Sequence, residues 1–283
     1  MNFNVLAKRL IPGFAARLLA RRVLNLPRDI FESITHRRDP IIPPHGLWFV
    51  GGEREYKAVN EEFMRYFVEL GGLRAHHRVL DVGCGLGVMG VRLTRFLTPS
   101  GSYCGMVIVP TGIEWGKKNI TTRFPNFRFV HADVFNKHYN PRGRLSAAEF
   151  RFPFADAEFD FVFLKSVFTH LLPDTIAHYL CEIHRELKPG GTCLATLFLL
   201  NDASTELIQN GRASIPLPDQ LAGCRVSDAR FPEAAVAVAE EDFVKRCDDN
   251  AMSLKGPIYY GSWCGRPDYL SFQDVVVLQA IRA

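Results

Sequence analysis

The run Arg78-Val79-Leu80-Asp81-Val82-Gly83-Cys84-Gly85-Leu86-Gly87 constrains this chain most: an apolar strand, an acid near its end, and three alternating glycines opening a helical pattern. Glycine permits a sharp turn and lets backbone N–H groups approach a ligand closely, while the helix start that follows favours negative charge. From residue 54 onward, apolar runs with strand character alternate with helical patterns, the signature of βαβ units around a parallel sheet. The pattern predicts a helix over 54–71 and strands over 77–82, 102–108, 127–132, 159–165 and 192–199. Helices are expected over 87–97, 111–120 and 174–187, the last closed by Lys188-Pro189-Gly190-Gly191. After Leu200 the rhythm breaks. A long stretch with Pro216, Pro218 and Pro232 precedes an apolar segment over 257–260 and a last strand over 274–281, and connections of that length are usually functional.

Two cofactor classes use a glycine turn of this kind. A dinucleotide fingerprint reads GxGxxG, and the place of its third glycine is held here by Val88. That disfavours a nicotinamide-dependent oxidoreductase. The pattern is instead acid, x, GxGxG, and here the chain resembles the class I S-adenosylmethionine (SAM)-dependent methyltransferases. Three further segments carry the resemblance in order: Phe129-Val130-His131-Ala132-Asp133-Val134, Phe159-Asp160-Phe161-Val162-Phe163-Leu164 and Leu187-Lys188-Pro189-Gly190-Gly191. Together they cover about residues 54 to 200. The resemblance implies an α/β fold with a Rossmann-like seven-stranded sheet, mostly parallel with an antiparallel last strand. It also implies SAM as cofactor, its amino acid moiety over Gly83, Cys84 and Gly85 with Asp81 near the ammonium. Val107, Ile108, Val134 and Lys165 would complete that site, and Asp133 would receive the adenine amino group.

One departure stands out. The family ends its second strand with an acid that receives the ribose hydroxyls, and the matching residue here is Val107; no acid occurs from Val82 to Ile113. Charge-assisted hydrogen bonds contribute about 1.5 to 3 kcal/mol, so their loss predicts SAM binding weakened by roughly tenfold to a hundredfold. Glu114, in the next helix, is at best a substitute from another direction.

Methyl transfer to a hydroxyl needs the acceptor positioned and its proton removed. His170, about one turn beyond the fourth strand on the rim where open α/β sheets bind ligands, is the expected general base; capping the next helix or packing under the following segment is the alternative. His131, His138, His178 and His184 lack that placement. Tyr260, Trp263 and Arg266, in an aromatic cluster near the C-terminus, are expected either to hold an acceptor by its face or to complete the core. Trp48-Phe49-Val50-Gly51-Gly52 is expected to close over the cofactor. No His and carboxylate spacing argues for a metal.

The organisation that follows is a basic arm (1–53), a SAM-binding core (54–200), a lid or substrate insertion (201–255) and C-terminal strands completing the sheet (256–283). Of 34 Lys and Arg and 30 acids, residues 1–40 hold eight and three, leaving 26 against 27. A near-neutral core lacks the basic stripe of a nucleic-acid binder. The arm repeats Phe3, Leu6, Leu10, Phe14 and Leu18 at near-helical spacing among Lys8, Arg9, Arg17, Arg21 and Arg22. Two readings stand for it: a helix packing its apolar face on the domain, and a peripheral contact with anionic lipid through residues 1–25. Seven scattered cysteines, none at CxxC spacing, fit a reducing cytoplasm. The expected activity is O-methylation of a small molecule, sugar or polar lipid. Its competitor is a methyltransferase fold that has lost methyl transfer and serves as a binding module or cyclase-like enzyme.

Overall fold

The computed structural model describes residues 14–49, 53–137 and 139–281. Its chain order is α1 (Phe14–Ile34), a 3-10 turn at His45–Leu47, α2 (Glu53–Glu69), β1 (Arg78–Val82), α3 (Val88–Leu93) and β2 (Ser102–Val107). There follow α4 (Pro110–Gly116), which runs into a π-turn at Lys117–Thr121, then β3 (Phe127–His131), β4 (Phe159–Leu164), α5 (Pro173–Glu186) and β5 (Leu187–Leu197). The remaining elements are β6 (Leu199–Leu200), α6 (Asp202–Gln209), β7 (Asp219–Leu221), β8 (Cys224–Val226), β9 (Val236–Ala239), α7 (Glu240–Asp249), β10 (Met252–Leu254) and β11 (Asp274–Ala280). No helix among the described residues is long and apolar enough to cross a membrane.

The main sheet has seven strands in the order β10-β11-β5-β4-β1-β2-β3. β1 to β5 run parallel, and β11 is antiparallel to both β5 and β10, the Rossmann-like arrangement expected from the sequence. Strand order reverses between β1 and β4, which opens a crevice at the carboxyl ends of these strands. Alternating side chains of β1 feed two cores: Leu80 and Val82 pack on the side of Ile176, Leu180 and Ile183 of α5, while Val79 packs with Phe63 and Phe67 of α2. Both faces are therefore covered, as buried parallel strands require.

Three local expectations change. β5 begins at Leu187, where Phe159 pairs Leu187 but Phe161 pairs Thr192, so Lys188–Gly191 form a bulge inside the strand and not a loop before it. The antiparallel edge strand is Met252–Leu254; the apolar segment at 257–260 contributes a single bridge, Tyr259 to Val275. The stretch expected as an insertion over 201–255 is also divided. Its first part supplies β7, β8 and β9, which with β6 form a second sheet, and its second part supplies α7 and β10. Cys224, Val226, Val236 and Val238 of the one and Phe243, Cys247 and Met252 of the other all join the main core. Short strands such as β10 take their identity from the partner they pair with, which local patterning does not reveal.

Candidate cofactor and acceptor site

The crevice at the switch point deepens into a cavity of about 510 Å³, within the range of small-molecule sites. Its floor is the end of β1 with the glycine turn (Val82 to Leu86) and the end of β2 (Met106 to Val109). Lys165, Ser166 and Val167, just after β4, form a second wall, and Val134, Phe135, Asn136 and Tyr139, after β3, a third. Trp48, Phe49, Tyr56, Val59, Glu62 and Phe63 close it from the N-terminal side. Trp48 and Phe49 therefore line the cavity, while Val50–Gly52 and His138 lie outside the described residues.

The turn is built by backbone demands. Gly83, Gly85 and Gly87 all have positive φ (83°, 57° and 72°), a region that side chains disfavour. A Cβ on Gly83 would collide with Val167, and one on Gly87 with the Phe129 ring. Gly85 differs. A Cβ there would meet nothing within 4 Å, so it would project into open space where a ligand can approach the backbone. The N–H groups of Gly83 and Cys84 donate to Met106 O (2.7 and 3.0 Å), which locks the turn onto β2. The Cys84 thiol is buried, which pushes its pKa far up and leaves it an inert packing group.

Asp81 does not reach the cavity. Its carboxylate is buried beneath the turn and accepts a 2.7 Å hydrogen bond from Tyr103 Oη. Burial raises its pKa to about 7, against the Tyr103 hydrogen bond and the Lys165 charge, which pull it down. The expected contact with a ligand ammonium is replaced by a support role under the turn. Lys165, by contrast, lines the cavity. Its Nζ donates to Asn60 Oδ1 at 3.3 Å and lies 5.5 Å from the Phe63 ring centroid. Burial lowers its pKa, opposed by Asp81 and Glu62. Asn60, itself buried, also donates to Val88 O (3.0 Å), so α2 ties the lysine to the helix that follows the glycine turn.

Val107 lines the cavity, apolar and buried, with Ile108 and Val134 beside it. Glu114 is exposed and does not line it, so it is no substitute for the missing acid. Among the described residues Glu62 is the one carboxylate in the lining; its Oε1 accepts from Tyr66 Oη (3.0 Å) and Ser271 Oγ (2.5 Å). Asp133 also departs from expectation. Its side chain is outside the lining and pairs with Arg144 Nε at 2.5 Å, a hydrogen bond that holds its carboxyl below the usual range.

His170 lies in a 3-10 turn after β4 (Phe168–His170) and lines the cavity. Its Nδ1 stands 2.8 Å from Glu233 O. A carbonyl can only accept, so Nδ1 carries the proton and Nε2 is the basic nitrogen. Beside it Ser166, at φ 59°, donates its Oγ to Gln273 Oε1 (3.1 Å), while its N–H donates to Thr196 Oγ1 (2.8 Å). This bracing fixes the loop that presents Lys165 and His170.

Trp263 takes the core reading, while Tyr260 and Arg266 are half-buried and tied to other side chains away from the cavity. Trp263 is fully buried and donates Nε1 to Asp274 Oδ2 (2.8 Å); Arg266 stacks 4.3 Å over the Tyr260 ring and donates to Asn201 (2.8 Å); Tyr260 Oη donates to Glu240 (3.0 Å). None of the three lines the cavity. Elsewhere, Asp29, Glu32 and His45 converge as a metal site would. The Asp29 oxygens already accept from Arg38 (2.9 Å) and the N–H groups of His45 and Gly46 (2.7 and 2.9 Å), so the cluster acts as a clasp between α1 and the turn after it.

Comparison with known proteins agrees with this geometry. Residues 80–195 match a family model described as a methyltransferase domain. A SAM-dependent methyltransferase from Methanosarcina mazei superposes with TM-score 0.51 at 18% identity, covering 76% of this chain and 98% of its own. Residues 80–195, under half of the chain, are thus similar to a methyltransferase domain, and the described residues share the fold of a SAM-dependent methyltransferase. A magnesium protoporphyrin IX methyltransferase from Synechocystis, solved with bound S-adenosylhomocysteine, superposes with TM-score 0.50 at 14% identity over 92% of this chain and all of its own. Staphylococcus aureus demethylmenaquinone methyltransferase is 31% identical over 127 residues, 44% of this chain and 45% of that protein. The chain thus spans less than half the length of that relative.

Sequence patterning missed Asn60, Glu62, Tyr56 and Tyr139 as part of this site. The only signal for Asn60 was a polar residue on the apolar face of α2, next to Phe63 and Phe67.

Proposed function

We infer that the protein transfers a methyl group from SAM to a hydroxyl of a small, largely apolar acceptor. The observation that carries this reading is the open space above Gly85 at the switch point of the sheet, a cradle that any side chain there would fill. The donor set fits the cofactor: Lys165 would pair with its carboxylate, Gly83 to Gly85 would receive the amino acid moiety on backbone, and Val107, Ile108 and Val134 would flank its nucleoside portion. When bound, SAM supplies an electrophilic methyl group on a sulfonium. The chain's own work is to exclude water with Trp48, Phe49 and Tyr139, and to orient the acceptor. His170 Nε2 takes the hydroxyl proton, with the imidazolium then stabilised through Nδ1–H on Glu233 O. The predominantly apolar lining favours an acceptor with a hydrophobic body over a saccharide.

A second reading, a methyltransferase fold without methyl transfer, is favoured by Val107, which leaves the ribose edge without a carboxylate. Calorimetric titration with SAM separates the two. The first reading expects micromolar binding that Gly85→Val abolishes while circular dichroism stays unchanged. The second expects no detectable heat with the wild-type chain, and normal binding by Gly85→Val would remove the cofactor from this turn.

A further inference from the structure

The amphipathic helix α1 is mounted in reverse. At about 100° per residue, Leu26, Leu19, Ile30, Val23 and Ile34 follow one another around one side of the helix, with Phe31 and Leu24 continuing the same sector. All seven are exposed, from 49% for Ile30 to 74% for Ile34. The polar side faces the domain. Arg21 donates to Trp48 O, the Asp29 carboxylate receives the His45 and Gly46 N–H groups, and Glu32 pairs with His45 Nε2 at 3.0 Å. A helix that packs to bury apolar surface would turn the opposite way, so the exposed sector is left for something outside the domain.

The charges around it identify the occupant. The two acids of α1 are turned inward and neutralised, Asp29 by Arg38 (2.9 Å) and Glu32 by Arg28 (2.8 Å) and His45. Basic groups border the apolar sector on both sides: Arg22 on one, exposed, and Arg28, which also pairs with Glu32, on the other. Arg37 reaches back over the Phe31 ring at 5.2 Å. An apolar sector with basic margins and inward acids complements an anionic bilayer, where the side chains enter the acyl boundary and the guanidinium groups meet phosphates. The same helix touches the cavity mouth, because Phe14 packs edge-on against Phe49 (5.7 Å) and Tyr139 (5.5 Å), both of which line the cavity.

We propose that α1 lies in the interface of an anionic membrane, with Leu19, Val23, Leu26 and Ile30 immersed, and that this seating brings the cavity mouth to the lipid surface. The seating is a binding property and does not depend on methyl transfer. Its test is cosedimentation of the full-length protein with phosphatidylglycerol–phosphatidylcholine vesicles and with phosphatidylcholine vesicles alone, for wild type, Leu19→Ser/Val23→Ser/Ile30→Ser and Arg22→Glu. The substituted side chains are exposed, so folding is retained, which circular dichroism checks. The wild type is expected to partition onto anionic vesicles and at least about tenfold more weakly onto neutral ones, with each variant losing at least about tenfold on the anionic surface. A wild type that stays in the supernatant, a triple variant that sediments as well as wild type, or equal binding to neutral vesicles would each overturn the proposal. A wild-type dimer that the triple variant converts to monomer in analytical ultracentrifugation would assign the face to a second copy and overturn it as well.

Discussion

Val107 and His170 face the same cavity and pose opposite questions: one residue is missing a function and the other has acquired a partner for one. With Val107 on the floor and Glu114 exposed, a SAM ribose seated at the end of β2, as proposed, would meet methyl groups and no carboxylate. Restoring the acid as Val107→Asp is expected to tighten SAM binding by roughly tenfold, the worth of about one charge-assisted hydrogen bond. Unchanged or weaker affinity by calorimetry would mean that this edge of the cavity has been rebuilt for another ligand geometry. For His170, the Glu233 carbonyl accepts from Nδ1–H and so assigns the role of base to Nε2. Replacing it as His170→Gln keeps a donor for that carbonyl and removes the base. Turnover should fall by about a hundredfold or more, with SAM affinity within about threefold. An equal loss in both would make the residue a packing element of the cavity wall.

The elements around the site show which parts of the fold could be read from the chain and which could not. Strands β1 to β4 and the glycine turn were legible because their signals are local: apolar runs, punctuating glycines and a helix start within ten residues. The Lys165–Asn60 contact was not, since it joins residues 105 apart and neither neighbourhood advertises the other. The junction of α5 and β5 was half legible. The helix stop was expected, yet Leu187 enters the sheet directly and leaves Glu186 at the seam, fully buried. Its Oε1 accepts from Arg185 (2.9 Å), while Oε2 has no hydrogen-bond partner. Burial raises its pKa to about 8, with the Arg185 charge opposing and Glu182 and Glu158 reinforcing. A carboxyl whose folded value lies above its unfolded one contributes stability that is complete below about pH 4.5 and lost as the pH rises through about 8. Glu186→Gln cannot ionise, so its stability relative to wild type should improve across that window, by at most about 1.4 kcal/mol per pH unit. Urea denaturation at intervals between pH 5 and 9 measures it. Parallel profiles for the two proteins would show that the Arg185 pairing cancels the cost of burial.

At the scale of the whole molecule, the amphipathic repeat read from Phe3 to Leu18 lies mostly outside the described residues; Phe14 and Leu18 of it fall in α1, and the spacing did not reveal which face of that helix would turn inward. That choice was made by Asp29, Glu32 and Arg21 finding partners in His45, Gly46 and Trp48, contacts that span up to 27 residues. The second half of the chain likewise hid its division between main sheet and second sheet. Leu200 of β6 pairs with Ala239 of β9, so residues 201–238 start and end at adjacent points, while Cys224, Val226, Val236 and Val238 within them pack into the main core. A relative's counterpart grafted between the same two residues would have to keep those apolar positions, whereas the loops between them can change length without lengthening the path through the core. Because Glu233, whose carbonyl meets His170 Nδ1, belongs to that part while none of its residues lines the cavity, a single graft would reset the orientation of His170 and leave the glycine turn and Lys165 as they are.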